Sequence, residues 1–287
     1  MIIFTKVQGA GNDFILVEAG NMQRDWSQLA VAMCNRRFGV GADGLLLLAP
    51  SEAADFRMRV FNPDGSDGEA CGNGLRCLVK YVMEQKRAGT DVKEVTIETA
   101  AGARRRFDTD GLRRDTAEIQ VNMGMPQLEA GDIPMVMEAG KGQIVDIKLI
   151  KYPVIVDGEE LWLHLVSMGN PHAVYFQDKP VADFPLDRIA PQVNDMKIFP
   201  NGANFEVVRV MDRSRVEARV WERGVGETLA CGSGACAIAV ATQLCGYVDR
   251  KVAVEYPGGT LTVVWDGAGE VLLSGPTETV FTGEWPE

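Results

Sequence analysis

Ala70-Cys71-Gly72-Asn73-Gly74 recurs later in the chain as Ala230-Cys231-Gly232-Ser233-Gly234, and each copy runs directly into an apolar stretch with helical spacing. A cysteine just ahead of a helix lies where unpaired backbone N–H groups and the helix dipole favour an anion. That position is expected to lower a thiol's pKa and make it reactive. Two such cysteines in matching contexts point to one site that takes a thiol from each half of the chain. Opposed thiols can remove a proton from one face of a carbon and return one to the other. This is the chemistry of a racemase or epimerase that needs no cofactor.

The repeat extends beyond the cysteines. Gly11-Asn12 lies 59 residues before Cys71, and Gly169-Asn170 lies 61 before Cys231. Gly41-Ala42-Asp43 and Gly202-Ala203-Asn204 lie 30 and 29 residues before their cysteines, and Asn62 and Glu222 each lie nine before. Val95–Glu98 and Val252–Glu255 follow the two cysteines in the same order. The halves read as divergent copies of one unit of roughly 120–160 residues, a duplicated domain and not a solenoid of short repeats. The expected boundary falls where Gly, Pro and Met break the pattern near 122–131. It gives a first half of residues 1–124, completed by a C-terminal strand at 277–287, and a second half of residues 125–276.

Composition fits a globular protein. The 287 residues are 46% hydrophobic and 24% charged, in the ordinary range. A net charge of −11 argues against a nucleic-acid surface; Arg104-Arg105-Arg106 and Arg113-Arg114 read as solvated hairpin residues. No apolar stretch reaches the ~18 residues of a transmembrane helix. Met1–Val7 is too short for a signal peptide and lacks its charged start, so a cytoplasmic location with no membrane partner is expected. The six cysteines are too few for a disulfide scaffold and lack zinc spacing. Cys34, Cys77, Cys236 and Cys245 read as small buried apolar residues.

The expected elements are many short strands and three helices. The first helix is Gln28–Arg37 with Ser27 as its N-cap. The second runs from about Gly74 to Lys86, with Leu75, Leu78, Val79, Val82 and Met83 at i, i+3, i+4 spacing. The third, Gly234–Leu244, is apolar nearly all round, as expected of a helix enclosed by protein. A strongly curved or barrel-like sheet wrapped round such a helix would enclose it. Ile144–Ile155 reads as one strand. Gly39-Val40-Gly41-Ala42-Asp43-Gly44 matches G-x-G-x-x-G but leads into the apolar run Leu45–Leu48, so a strand follows it where a dinucleotide fold needs a helix. Gly224–Glu227 reads as the loop that delivers the chain to Cys231.

The blocks Gly9-Ala10-Gly11-Asn12-Asp13-Phe14, Asn62-Pro63-Asp64-Gly65-Ser66, Cys71 through Cys77, Gly169-Asn170-Pro171-His172, and Glu222-Arg223-Gly224 through Cys231-Gly232-Ser233-Gly234 resemble the diaminopimelate epimerase family, in order and over almost the whole chain. The resemblance implies an α+β fold of two pseudo-symmetric domains. In each, an antiparallel barrel-like sheet wraps a central helix, with the active site between the domains. It implies an isomerase that interconverts LL- and meso-diaminopimelate for lysine and peptidoglycan synthesis, with no metal, pyridoxal phosphate or flavin.

Residue by residue, the resemblance makes Cys231 the proton acceptor and Cys71 the donor, with roles exchanged in the reverse direction. The N–H groups of Gly72-Asn73 and Gly232-Ser233 would hold the substrate carboxylate. Glu222 and His172 match positions close to the thiols, where they would adjust thiol pKa, and Glu222 also counts among the substrate-binding residues. Arg223 offers a planar fork for the distal carboxylate, and Asn12, Asn62, Asn170 and Asn204 suit a zwitterion. His164 has no match. The family's Val-Tyr-x-Gly pattern, tied to dimer contact, reads Val280-Phe281-Thr282-Gly283 here, and a homodimer is expected. Two alternatives stay open. One is a proline- or hydroxyproline-type racemase, which typically has His where this chain has Asn73. The other is a non-catalytic amino-acid-binding protein, which would need one pocket but no opposed thiols.

Overall fold

The structure is a computed structural model that describes residues 1–20, 22–68, 72–85, 94–99, 104–108, 118–136, 143–145 and 149–286. The chain forms two compact units, residues 1–122 with 274–287 and residues 123–273.

The first unit contains β1 (Ile2–Gly9), β2 (Asn12–Glu18), α1 (Trp26–Cys34), β3 (Gly44–Ala49), β4 (Phe56–Phe61), α2 (Gly72–Glu84), β5 (Glu94–Glu98), β6 (Arg104–Asp108) and β7 (Glu118–Asn122). The second contains β8 (Gln143–Val145), β9 (Leu149–Val156), β10 (Glu159–Ser167), β11 (Pro171–Phe176), α3 (Leu186–Asn194), β12 (Asn204–Asp212), β13 (Arg215–Glu222), β14 (Gly226–Thr228), α4 (Gly232–Leu244), β15 (Lys251–Tyr256) and β16 (Gly259–Val264). The chain returns to the first unit through β17 (Leu272–Pro276) and ends in β18 (Glu278–Trp285).

Both units use one pairing scheme. The first sheet runs β18-β1-β2-β3-β4-β5-β6, with successive pairs antiparallel, antiparallel, parallel, antiparallel, parallel and antiparallel. The second unit's run β9-β10-β11-β12-β13-β15-β16 repeats that series. A parallel pair needs a crossover connection. Each crossover here carries a helix: α1 and α2 in the first unit, α3 and α4 in the second. Among the described residues neither strand order closes into a barrel, so the sheets are barrel-like at most by their curvature, and the α+β class stands.

Helices lie on both faces of each sheet. Leu45 and Leu47 of β3 join Ala30 and Met33 of α1 in one buried cluster. Successive strand side chains alternate faces, so Leu46, also buried, points to the other face, where α2 packs on β1, β2 and β3. Likewise Phe205 and Val207 of β12 cluster with Ile189 and Ala190 of α3, while α4 packs on β10, β11, β12, β15 and β16. Helix α4 is buried from Gly234 to Thr242, as its all-round apolar sequence implies. Its Thr242 hydroxyl is satisfied by the carbonyl of Ile238 at 2.7 Å.

Several local expectations need correction. Helix α1 starts a residue before Ser27 because Asp25, an equally good cap, accepts the Gln28 N–H at 3.0 Å, while Ser27 Oγ is taken up in donating to the Gly65 carbonyl. It ends at Cys34, where Asn35 Oδ1 takes the N–H groups of Arg37 and Phe38. Helices α2 and α4 each begin two residues earlier than read. Ile144–Ile155 is divided between β8 and β9, which pair as antiparallel neighbours. Gly226–Thr228 is a short strand on β13. Arg104–Arg106 lie in β6, paired with β5, and Arg113-Arg114 fall outside the described residues. Cys34, Cys77 and Cys236 are buried, but Cys245 is only half-buried at the end of α4. Burial pushes the Cys34 thiol up to about 12.

The fourth helix, α3, was missed. Its buried Leu186, Ile189, Ala190 and Val193 stand at i, i+3, i+4 and i+7, but Pro185 and the internal Pro191 read as breakers.

His164 on β10 gives a stability prediction. Its ring is buried, Nδ1–H donates to the Val174 carbonyl at 3.3 Å, and burial lowers its pKa from 6.5 to about 4. The unfolded chain therefore binds the proton first as pH falls, so stability is full above pH 6.5 and is lost toward pH 4. The wild type should lose about 3 kcal/mol more than His164→Phe between pH 7 and pH 4 in urea unfolding. Equal losses would remove His164 as the titrating group.

Candidate active site

Strand β13 ends at Glu222, and β14 pairs back on it through Val220, Trp221 and Glu222. This return delivers Cys231 to the start of α4. Cys231 is extended (φ −125°, ψ 123°) and is the N-cap, its Sγ accepting the Gly234 N–H at 3.4 Å. The sulfur thus takes the place that a hydroxyl or carboxylate oxygen usually fills at an N-cap. Ser233 Oγ lies 3.5 Å from it.

A Cβ on Gly234 would lie 2.9 Å from Glu206 Oε1, 3.2 Å from Cys231 Cβ and 3.3 Å from Tyr256 Oη. Close approach of three groups, and no special φ, is what demands glycine here.

Two carboxylates and an imidazole surround this turn. Glu222 lies close enough for its charge to act on Cys231 and accepts the Thr228 hydroxyl at 2.5 Å. His172 Nδ1 lies 2.6 Å from Glu206 Oε1, and both side chains are wholly buried. His172 Nε2 lies 3.0 Å from Asn170 Oδ1. Asn204 Oδ1 accepts the backbone N–H of Arg223 at 2.8 Å. The half-buried Arg223 directs Nη1 to the Asn201 carbonyl at 3.2 Å.

Burial above all, then the charges of Glu222 and Glu206, push the Cys231 thiol well above its ordinary value; the bonds from Ser233 and Gly234 pull down and are outweighed. The helix-start argument alone gave the opposite direction. Burial also pushes the Glu222 carboxyl up, against the hydrogen bond from Thr228 and the charge of His172. At rest, then, Cys231 is a thiol beside a carboxyl that holds a proton more tightly than usual.

In the first unit, Gly72 and Asn73 open α2 and are buried. Asn73 Nδ2 donates to Asn12 Oδ1 at 3.2 Å, and Arg76 Nη2 donates to Asn73 Oδ1 at 2.9 Å. Asn12 Nδ2 donates to Asp43 Oδ2 at 2.8 Å, and Arg36 bridges Asp43 and Asp13 at 2.6 Å each. Lys6 meets Asp13 and the Gly41 carbonyl. Burial raises the Asp13 carboxyl, but Arg36 and Lys6 outweigh it and hold it below the usual range. Asn12 is therefore held by Asn73 through its oxygen and by Asp43 through its nitrogen. It follows the tight turn at Ala10 and Gly11, whose φ values are 53° and 81°.

Of the residues singled out in the sequence, the second unit gathers Asn170, His172, Glu222, Gly232, Ser233 and Cys231, with Asn204 supporting Arg223. The first gathers Asn12, Gly72 and Asn73. Asn62 is engaged in its own turn, donating to Ser66 Oγ at 2.9 Å. Cys71 lies outside the described residues. Sequence reading missed Glu206, Thr228 and Tyr256. For Glu206 a signal existed, an acidic residue inside the apolar run Phe205–Val208. Among the described residues, no group of three or more His, Cys, Asp or Glu is arranged to hold a metal. No helix among them is long and apolar enough to cross a membrane.

Known proteins resemble this chain at two levels. A family model described as diaminopimelate epimerase matches residues 4–129 and 164–280. The diaminopimelate epimerase of Moorella thermoacetica is 45% identical over 287 residues, covering 99% of each chain. Among solved structures, a phenazine biosynthesis protein of the PhzF family from Bacillus anthracis superposes with a TM-score of 0.69 at 18% identity, covering 100% of this chain and 99% of that one. A hydroxyproline epimerase from Agrobacterium vitis reaches 0.69 at 14% identity, covering 98% and 90%. At those identities the two structures show the shared fold alone.

Proposed function

The chain belongs to the diaminopimelate epimerase family, and from that premise we propose that it interconverts LL- and meso-2,6-diaminopimelate by two-thiol acid–base chemistry. The observation that carries the reading is Cys231: a thiol capping a helix, beside Glu222, a carboxyl whose proton affinity is raised. An α-proton beside a carboxylate is a very weak acid. For Cys231 to accept it, the thiol must first yield its own proton, and Glu222 is the neighbour able to take it. The resulting thiolate forms at a helix N-terminus, where the dipole favours it. Cys71 then delivers a proton to the opposite face of the carbon. One proton leaves and one returns, so the step needs no oxidant or second substrate, and roles exchange in reverse.

Fixed N–H groups of Gly72-Asn73 and Gly232-Ser233 would hold the substrate carboxylate as charge develops on it, each such donor contributing on the order of 3 kcal/mol. Asn12, Asn62, Asn170, Asn204, Glu222 and Arg223 are assigned to the substrate's polar groups, with Arg223 on the distal carboxylate. His172 and Glu222 adjust the thiol. The product serves lysine and peptidoglycan synthesis in the cytoplasm, and no step is routed through a metal or organic cofactor. A homodimer belongs to the same reading, supported by the exposed Val280 and Phe281 on edge strand β18.

The test is incubation of the protein with LL-diaminopimelate in deuterated water. Meso product carrying one α-deuterium is expected. Product without solvent deuterium, or no product beside rapid turnover of proline or hydroxyproline, would move the assignment to another chemistry of this fold.

A further inference from the structure

We propose that Glu206, buried against the first turn of α4, is a positioning residue for the reaction: it accepts the Nδ1–H of His172, fixes that ring beside Asn170, and sets a negative charge behind Cys231. The proposal rests on the reading of Cys231 as a proton-exchanging thiol.

The duplication supplies the argument. In β11 and β12, His172 stands opposite Asn204 and Val174 opposite Glu206. In β2 and β3, Phe14 stands opposite Gly44 and Leu16 opposite Leu46. The outer-face clusters contain Ala173, Phe205 and Val207 in one unit and Ile15, Leu45 and Leu47 in the other. Strand alternation therefore puts His172 and Glu206 on the α4 face, and Phe14 and Leu46 on the α2 face. The same backbone scheme is thus built once over an apolar pair and once over a buried carboxylate–imidazole pair.

The fold does not need the polar version. A buried charge costs several kcal/mol of desolvation, and apolar residues of similar volume commonly replace such pairs without loss of stability. All four residues are buried, Glu206, His172 and Leu46 completely. Glu206 Oε2 is buried with no hydrogen-bond partner among the described residues, an unsatisfied polar atom of the kind that marks functional sites. Meanwhile Oε1 reaches both ends of the site: it is 2.6 Å from His172 Nδ1 and sits where a Gly234 Cβ would meet it at 2.9 Å, one turn from Cys231. The groups that face Cys231 are Glu222 from β13, Glu206 from β12, Tyr256 from β15, and Ser233 with the Gly234 N–H from α4 itself. Glu206 raises the thiol, so its neutralisation should let the thiolate form at lower pH.

Glu206→Gln keeps the volume and removes the charge. Its kcat should fall about 100-fold, the lower end of what a positioned acid or base contributes, with KM little changed. The pH at which Cys231 reacts with iodoacetamide, followed by peptide mass spectrometry, should move down. The chain has two histidines, so the ring signal of His172 can be assigned by difference with His172→Phe. Its Nδ1–H proton resonance, far downfield in the wild type, should move in Glu206→Gln and vanish in Glu206→Leu. The double variant His172→Phe/Glu206→Leu copies the first unit's pair and should fold with an undiminished Tm while remaining inactive. An unchanged Cys231 profile and an unchanged His172 signal in Glu206→Gln would overturn the proposal. So would a double variant that fails to fold, because the pair would then be architectural. The alkylation and resonance measurements need no substrate. If they move as expected but the wild type does not epimerise diaminopimelate, the functional reading falls and the positioning by Glu206 stands.

Discussion

Replacing Cys231 with alanine is expected to abolish epimerisation, a loss of about four orders of magnitude, the upper end for a positioned acid or base. The fold should survive, because alanine fits the extended N-cap and loses only the weak sulfur bonds with the Gly234 N–H and Ser233 Oγ. Cys71→Ala should be equally inactive. A sharper result separates the thiols. With one removed, the other can still exchange the α-proton on its own face, so each variant should wash solvent deuterium into one stereoisomer without inverting it. Circular dichroism checks the fold, and mass spectrometry of recovered substrate checks the exchange. A folded Cys231→Ala or Cys71→Ala protein with near-normal turnover would end the two-thiol mechanism.

Truncating Arg223 is the second large effect. Its backbone is fixed by Asn204 Oδ1 at 2.8 Å, and its guanidinium is pre-aimed by the Asn201 carbonyl at 3.2 Å. A planar fork so held suits bidentate capture of a carboxylate. Removing it leaves the substrate's distal carboxylate without its counter-charge, so Arg223→Ala should cost roughly 3–5 kcal/mol in kcat/KM, by analogy with breaking a buried ion pair. Arg223→Lys should recover only part of that, since a point charge cannot reproduce the fork. An unchanged kcat/KM for diaminopimelate in Arg223→Ala would remove Arg223 from the distal site.

Much of the architecture was legible because duplication writes each signal twice. The paired Ala-Cys-Gly segments marked the starts of both central helices to within two residues, and the all-apolar run of α4 announced its enclosure. The duplication also held an unused signal: α1 lies between Asn12 and Asp43, so a helix belongs between Asn170 and Asn204, where α3 is found. Pro185 and Pro191 masked it because local rules weigh a proline above periodicity, whereas the crossover between parallel β11 and β12 demands a connecting helix. Whether the sheets close escaped sequence reading for a similar reason, since closure depends on which edge strands meet and no strand's own pattern records that.

By itself the sequence determined the two-fold repeat, the cysteine at each helix start, the family and several of the polar residues that the structure gathers near Cys231. These are local or periodic properties, carried by residues a few positions apart. Only the tertiary structure decided the state of Cys231. A helix N-terminus read alone predicts a lowered thiol pKa, yet the folded thiol is raised, because burial and the carboxylates of Glu222 and Glu206 act on it together. Glu206 lies 25 residues earlier in the chain, on a strand that reaches Cys231 only through the packing of α4 on the sheet. Electrostatic energy is summed over distance in space, with the solvent excluded by that packing, and neither quantity is written in the spacing of the residues.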